Sequence, residues 1–267
     1  MRRTSLLVAI GVALVASGPA DAGLEPTEAN VKYDTRHERN VLDFWKADSD
    51  KPTPVFVWFH GGGFKNGDKS SVVGRGGLLE EFLRQGISVA SCNYPFLQDA
   101  SYDQIMHHCA RAIQFIRAIS RQWNIDPRRV GACGPSAGAL ISGWIGYHPD
   151  LRNPRSRNPV ERITTRLLVV GSHLQPIGTE NLILRHMRRG GPPLFIYTSA
   201  PTGDKIHNPK YAKRIKARAD ALGIPAQLVG DSKNDIPPPP EGETWLSLQV
   251  KFFCKHLGVP YKPPESK

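Results

Sequence analysis

Val130-Gly131-Ala132-Cys133-Gly134-Pro135-Ser136-Ala137-Gly138-Ala139 decides how the chain reads. Val130 to Cys133 is a short apolar run with strand character, and Ala137 to Tyr147 is rich in small residues and reads as a helix. Between them Gly134-Pro135-Ser136-Ala137-Gly138 forms a G-x-S-x-G turn. A serine on a sharp strand-to-helix turn has its hydroxyl free. Small flanking residues let the strained turn approach neighbouring chain. The helix N-terminus also favours negative charge developing beside the serine. Alone, Ser136 would equally suit a helix N-cap.

Upstream, Val55-Phe56-Val57-Trp58-Phe59 is a continuous apolar run, as in a strand buried on both faces. It ends at His60-Gly61-Gly62-Gly63-Phe64. Glycines at that place let backbone N–H groups approach a substrate carbonyl oxygen; by themselves they would mark only a tight turn. Each of the two motifs follows a strand, and the pair occurs in the order that an oxyanion loop and a nucleophile elbow require.

The rest of the chain alternates strands and helices. Gly74 to Arg84 reads as a helix closed by Gly86, and Ile87 to Tyr94 as a strand. Ile105, Cys109, Ala112, Ile113, Ile116 and Ile119 are spaced as one helix face, which Asn124 to Pro127 ends. Leu167 to Val170, Leu194 to Tyr197 and Ala226 to Val229 are further strands. Pro209 to Leu222 and Trp245 to Leu257 are amphipathic helices. Asn30 to Asp43 supplies leading antiparallel strands. This alternation predicts an α/β fold with a mostly parallel sheet covered on both faces. The stretches 148–165 and 172–192 are too short for a large cap domain.

The composition fits a globular enzyme-sized chain. Its 267 residues are 40% hydrophobic, which excludes a disordered protein, and its four cysteines are too few for a disulfide scaffold. Cys92, Cys109, Cys133 and Cys254 lie on apolar strand ends or helix faces and read as small buried hydrophobes. The formal charge is +11, but the basic residues are spread along the chain, so no nucleic-acid partner is expected. No His/Cys/carboxylate spacing suits a metal, and no cofactor is expected.

The first residues read as a targeting segment. Arg2 and Arg3 precede a short apolar run, Leu6 to Ala16, and Ala20-Asp21-Ala22 is a small-x-small cleavage site. The run is shorter than the roughly 18 residues of a spanning helix. Residues 1–22 are therefore expected to be a cleaved secretory signal, with a single domain over 23–267 and no stable membrane insertion. The expected location is secreted or periplasmic.

With these residues together, the chain resembles the α/β-hydrolase fold in its HGGG-type branch. It looks most like secreted carboxylesterases of the hormone-sensitive-lipase and acetylxylan/feruloyl esterase neighbourhood. The likeness rests on Pro54 to Phe64, Ser88 to Tyr94, a helix with Asp126-Pro127-Arg128-Arg129, and Val130 to Ala139. Pro95 replaces the arginine of the family's Asn-Tyr-Arg segment. The resemblance implies Ser136 as nucleophile, and the N–H groups of Gly61, Gly62 and Ala137 as oxyanion donors. It places an acid after the strand ending near Tyr197, where Asp204 stands; that residue also suits a solvated turn. It places a histidine after the last strand, yet Gly230 to Ile236 contains none.

His207 is the best replacement base, with a plain loop residue as the alternative. His256 reads as a surface residue near a helix C-terminus, His60 as a support of the glycine loop, and His107 and His108 as helix residues. The leading expectation is a serine hydrolase acting on short-chain or carbohydrate-linked acyl esters, a small-molecule or carbohydrate ester being its partner. The alternative is a non-catalytic hydrolase-fold binding protein, favoured by the missing histidine. A serine peptidase of this fold is a third reading, disfavoured because no extra domain fits before residue 30.

Overall fold

In the computed structural model, residues 24–264 are described. The expected signal, residues 1–22, and the chain start at Gly23 lie outside them. Eight strands form one sheet: β1 (Glu28–Lys32), β2 (Val41–Trp45), β3 (Thr53–Phe59), β4 (Ser88–Cys92), β5 (Ile125–Cys133), β6 (Val169–His173), β7 (Leu194–Tyr197) and β8 (Ala226–Val229). Their order is β1-β2-β4-β3-β5-β6-β7-β8. β1–β2 and β2–β4 are antiparallel, and the remaining pairs are parallel.

The helices are α1 (Leu78–Arg84), α2 (Tyr102–Ala118), α3 (Ser120–Trp123), α4 (Ala137–Tyr147), α5 (Thr179–Leu182), α6 (Lys210–Ala221) and α7 (Trp245–Leu257). Apolar residues of α2, α4 and α6 pack on one face of the sheet, and those of α1 and α7 on the other. Every residue of β3 is buried, as its unbroken apolar run requires. The four cysteines are buried and unbridged. Among the described residues no segment forms a large cap, and no helix is long and apolar enough to cross a membrane.

Three local expectations need correction. Asp126-Pro127-Arg128-Arg129 belongs to β5, not to a helix. Its pairing with β3 shifts between Thr53 and Val55, and the Asp126 carboxylate gathers Arg128 and Arg129 at the irregularity. Turn-forming residues there make a bulge, not a stop. α1 begins at Leu78 because Gly76 and Gly77 adopt φ of 61° and 82°, outside the right-handed helix. The strand expected from Leu167 starts at Val169 and runs on to His173.

The end of β3 meets the elbow and the first turn of α4 very closely. A Cβ on Gly138 would lie 2.0 Å from the Phe59 carbonyl oxygen, and one on Gly134 2.1 Å from the same atom. Gly138→Ala must therefore push backbone against backbone. The expected cost is about 3 kcal/mol, the upper range for overpacking, measured by urea unfolding; a cost below about 0.5 kcal/mol would show that the contact yields.

Candidate active site

Ser136 stands between the end of β5 and the start of α4 with φ 53° and ψ −115°. A non-glycine residue there is strained and persists only where surrounding structure holds it. The brace is visible: the Ser136 N–H donates to the His173 carbonyl at 2.9 Å, and the His173 N–H donates to the Gly134 carbonyl at 3.0 Å. The end of β6 thus pins both sides of the elbow.

The glycine loop lies against that elbow. A Cβ on Gly61 would sit 3.1 Å from the Pro135 carbonyl oxygen and 3.6 Å from the Ser136 Cβ. Gly62 has φ 103°, and a Cβ there would strike the Asn66 carbonyl oxygen at 2.1 Å. The Gly62 carbonyl is turned away, accepting from the Lys65 and Asn66 amides at 3.0 and 3.2 Å. Among the described residues no protein acceptor takes the N–H groups of Gly61, Gly62 or Ala137. The three expected oxyanion donors therefore have no protein partner.

His60 supports this loop. Its ring is buried and its Nδ1 meets the Gly61 carbonyl at 2.7 Å, so Nδ1 carries the proton. Burial lowers its pKa to about 4, which keeps the ring neutral at pH 7. Tyr94 stacks on it with centroids 4.2 Å apart and donates its hydroxyl to the His60 carbonyl at 2.6 Å. Arg39 holds the far side, donating to the Tyr94 and Gly67 carbonyls at 2.9 and 3.0 Å. The sequence reading missed Arg39 and gave Tyr94 no role. The Asn93-Tyr94 pair was the signal for Tyr94; Arg39 carried none. Tyr94→Phe leaves the buried His60 carbonyl without that donor. The expected loss is about 1–3 kcal/mol of stability by thermal denaturation, and unchanged stability would remove Tyr94 from the support of the loop.

The loop after β7 brings up Asp204 and His207. His207 Nε2 lies 2.9 Å from Ser136 Oγ across 71 residues of sequence. Asp204 Oδ1 accepts the Ile206 and His207 amides at 2.7 Å each. Its other oxygen, Oδ2, is 3.7 Å from His207 Nδ1, a close charge contact but longer than a hydrogen bond. The backbone donors, His207 N–H foremost, hold the Asp204 carboxyl below its usual pKa, so it stays ionised at neutral pH. The Ile177 amide donates to the Ile206 carbonyl at 2.8 Å and ties the loop to the β6 side of the site.

The loop after β8 braces this arrangement. Asn234 Nδ2 donates to the carbonyls of Thr198 and Ala200 at 3.0 and 3.2 Å, the base of the segment that carries Asp204 and His207. His256 stands elsewhere, on α7 against the Phe252 ring. His107 and His108 lie on α2, facing Trp144 and Asn40. Among the described residues no group of three His, Cys, Asp or Glu side chains is placed to hold a metal.

A cleft of about 640 Å³ opens over Ser136. Its walls are mainly apolar, with Phe64, Leu140 and Leu182 inside and Tyr102, Ile177 and Ile206 exposed at the rim.

Residues 42–165 match the family model BD-FAE. The structure is similar to an acetyl ester-xyloside bifunctional hydrolase from Caldicellulosiruptor lactoaceticus. That match has TM-score 0.68 and 20% identity, and covers 80% of this chain and 87% of the other. A carbohydrate esterase from gut microbiota, in truncated form, matches with TM-score 0.74 and 16% identity over 91% of this chain and 100% of the other. Esterase 2 of Thermogutta terrifontis, phosphonylated by sarin, matches with TM-score 0.69 and 19% identity over 90% of this chain and 99% of the other. The chain is an α/β-hydrolase-fold protein, with BD-FAE sequence character over residues 42–165.

Proposed function

We propose that the protein is a serine carboxylic-ester hydrolase. The observation that carries this reading is the 2.9 Å approach of His207 Nε2 to Ser136 Oγ, with three amides that have no protein partner among the described residues. His207 takes the proton of Ser136 as Oγ bonds to the ester carbonyl carbon. The carbonyl oxygen becomes an oxyanion and is held by the N–H groups of Ala137 and of Gly61 or Gly62, each worth on the order of 3 kcal/mol to the transition state. The tetrahedral species collapses, the C–O bond to the alcohol breaks, and His207 returns the proton to the leaving alkoxide. Water, deprotonated by His207, then splits the acyl-Ser136 ester and regenerates the serine. Asp204, ionised beside Nδ1, favours the imidazolium that forms in each step.

The apolar cleft suits an ester with an apolar portion. Short-chain or carbohydrate-linked acyl esters are the proposed substrates, by analogy with the acetyl ester-xyloside hydrolase and the carbohydrate esterase of the same fold. The pattern of residues 1–22 supports export to the periplasm or beyond. The binding-only reading rested on the absence of a histidine after β8, and His207 supplies an imidazole at Ser136 from another loop.

A serine-directed fluorophosphonate tests the proposal. It is expected to add one phosphonyl group, located by peptide mass spectrometry on Ser136, with loss of activity toward a short-chain aryl ester. A protein that neither reacts with the probe nor turns over any ester would be a binding protein.

A further inference from the structure

A second cleft at the carboxyl edge of the sheet, about 300 Å³, lies between the loop before α1 and the first turn of α7. Its floor is His173, its aromatic wall is Tyr197 and Trp245, and Arg75 and Ser199 stand at its sides. Arg75 sits in Gly74-Arg75-Gly76-Gly77 and is half-buried. Among the described residues its guanidinium has no carboxylate within ion-pair reach and no hydrogen-bond acceptor; its contact is with the Trp58 ring, 5.7 Å to the centroid. Other half-buried arginines of this chain are engaged: Arg39 with two carbonyls, and Arg84 with Glu81 and two carbonyls. A guanidinium whose one contact is with an aromatic ring keeps its planar fork of donors available, the geometry that suits a carboxylate.

Among the described residues no carboxylate is paired with that charge. His173 is buried, and its Nε2 is 2.8 Å from Gln249 Oε1, to which it donates. Burial, reinforced by the positive charge of Arg75, drives its pKa down to about 3, so it adds no charge at neutral pH. Burial raises the Tyr197 pKa and the charge of Asp231, in the loop after β8, adds to the rise, but among the described residues Asp231 makes no ion pair with Arg75. Tyr197 and Trp245 stack 5.0 Å apart and nearly parallel, a rigid apolar surface beside the cation. The volume is at the lower end of small-molecule sites, about 300–1,000 Å³, and fits one ring.

We propose that this cleft binds a ring-borne carboxylate, the acid on Arg75 and the ring against Trp245 and Tyr197. His173, which lines the cleft, also accepts the Ser136 amide through its main-chain carbonyl, so cleft and elbow share the end of β6; on that adjacency the carboxylate is assigned to a part of the substrate beyond the ester bond. This assignment to substrate rests on the esterase reading; the binding itself does not.

Isothermal calorimetry tests the binding directly, with sodium glucuronate, sodium benzoate and neutral methyl glucoside as probes. At least one acid is expected to bind the wild-type protein and the neutral sugar is not. Which acid binds identifies the ring as a sugar or an arene. Arg75→Gln is expected to weaken the acid about 10-fold or more, as for loss of a charged hydrogen-bond partner, with Arg75→Lys intermediate. Failure of both acids to bind wild-type protein, or equal binding to Arg75→Gln, overturns the site.

A kinetic arm compares an acetyl ester of a glucuronate with that of a neutral sugar. The ratio of their kcat/KM values is expected to fall about 10-fold in Arg75→Gln. An unchanged ratio overturns the role in substrate selection. Loss of all turnover in the wild-type protein would instead overturn the esterase reading and leave the calorimetric result standing.

Discussion

Ser136→Ala is expected to lower kcat on a short-chain aryl ester by about 10⁶-fold, the scale on which loss of a serine nucleophile acts. The substitution removes the one oxygen that can bond to the acyl carbon. It leaves the elbow intact, because the contacts that hold it are made by main chain: the Ser136 N–H to His173, and the close approach of Gly134 and Gly138 to Phe59. Alanine keeps the amide hydrogen and meets the same strained φ of 53°. The melting temperature is therefore expected to stay near that of the wild type while activity disappears. Side by side, steady-state kinetics and thermal denaturation check both halves. Activity within 10-fold of wild type would place the nucleophile elsewhere.

His207→Ala is expected to cost about 10²- to 10⁴-fold in kcat, the range for a general base, with a much smaller change in KM. The ring's Nε2 is the base at 2.9 Å from Ser136 Oγ, and no second histidine in the loop after β8 can take over, since Gly230 to Ile236 has none. Asp204→Asn is expected to lose less than His207→Ala. An amide oxygen can still accept the Ile206 and His207 amides and keep the loop in place, while the charge 3.7 Å from Nδ1 is lost.

The sign of the pH effect follows from the lowered pKa of Asp204. Its charge is complete above the ordinary carboxylate range and is lost only as pH falls through the lowered value. A fall in kcat during acidification from neutral pH is thus not assigned to titration of Asp204. Full activity of His207→Ala alongside an inactive Ser136→Ala would require another base.

The sequence by itself determined what depends on neighbouring residues. The apolar run Val55 to Phe59 fixes a strand buried on both faces. The glycines at 61, 62, 134 and 138 mark places where a Cβ would crowd neighbouring backbone, and the order of the two motifs locates an oxyanion loop and an elbow. These signals are local because backbone conformation is chosen within a few residues. The start of β5 was not legible. Asp126-Pro127-Arg128-Arg129 has turn-forming composition, and only pairing with β3 makes it strand.

The sequence singled out His207 as the best replacement base, but only the tertiary structure brings its ring to Ser136. His207 and Ser136 come together because β6 and β7 follow β5 in the sheet and the Asn234 clamp and the Ile177–Ile206 bond hold the β7 loop over the elbow. The same is true of Arg39, which reaches Tyr94 and Gly67 from a stretch with no motif, and of Arg75, set over Trp58 by its glycine-flanked loop. Hydrogen bonds and charge contacts act across a few ångströms of space whatever the separation along the chain. Residue order specifies such neighbours only through the packing of the whole sheet and its loops.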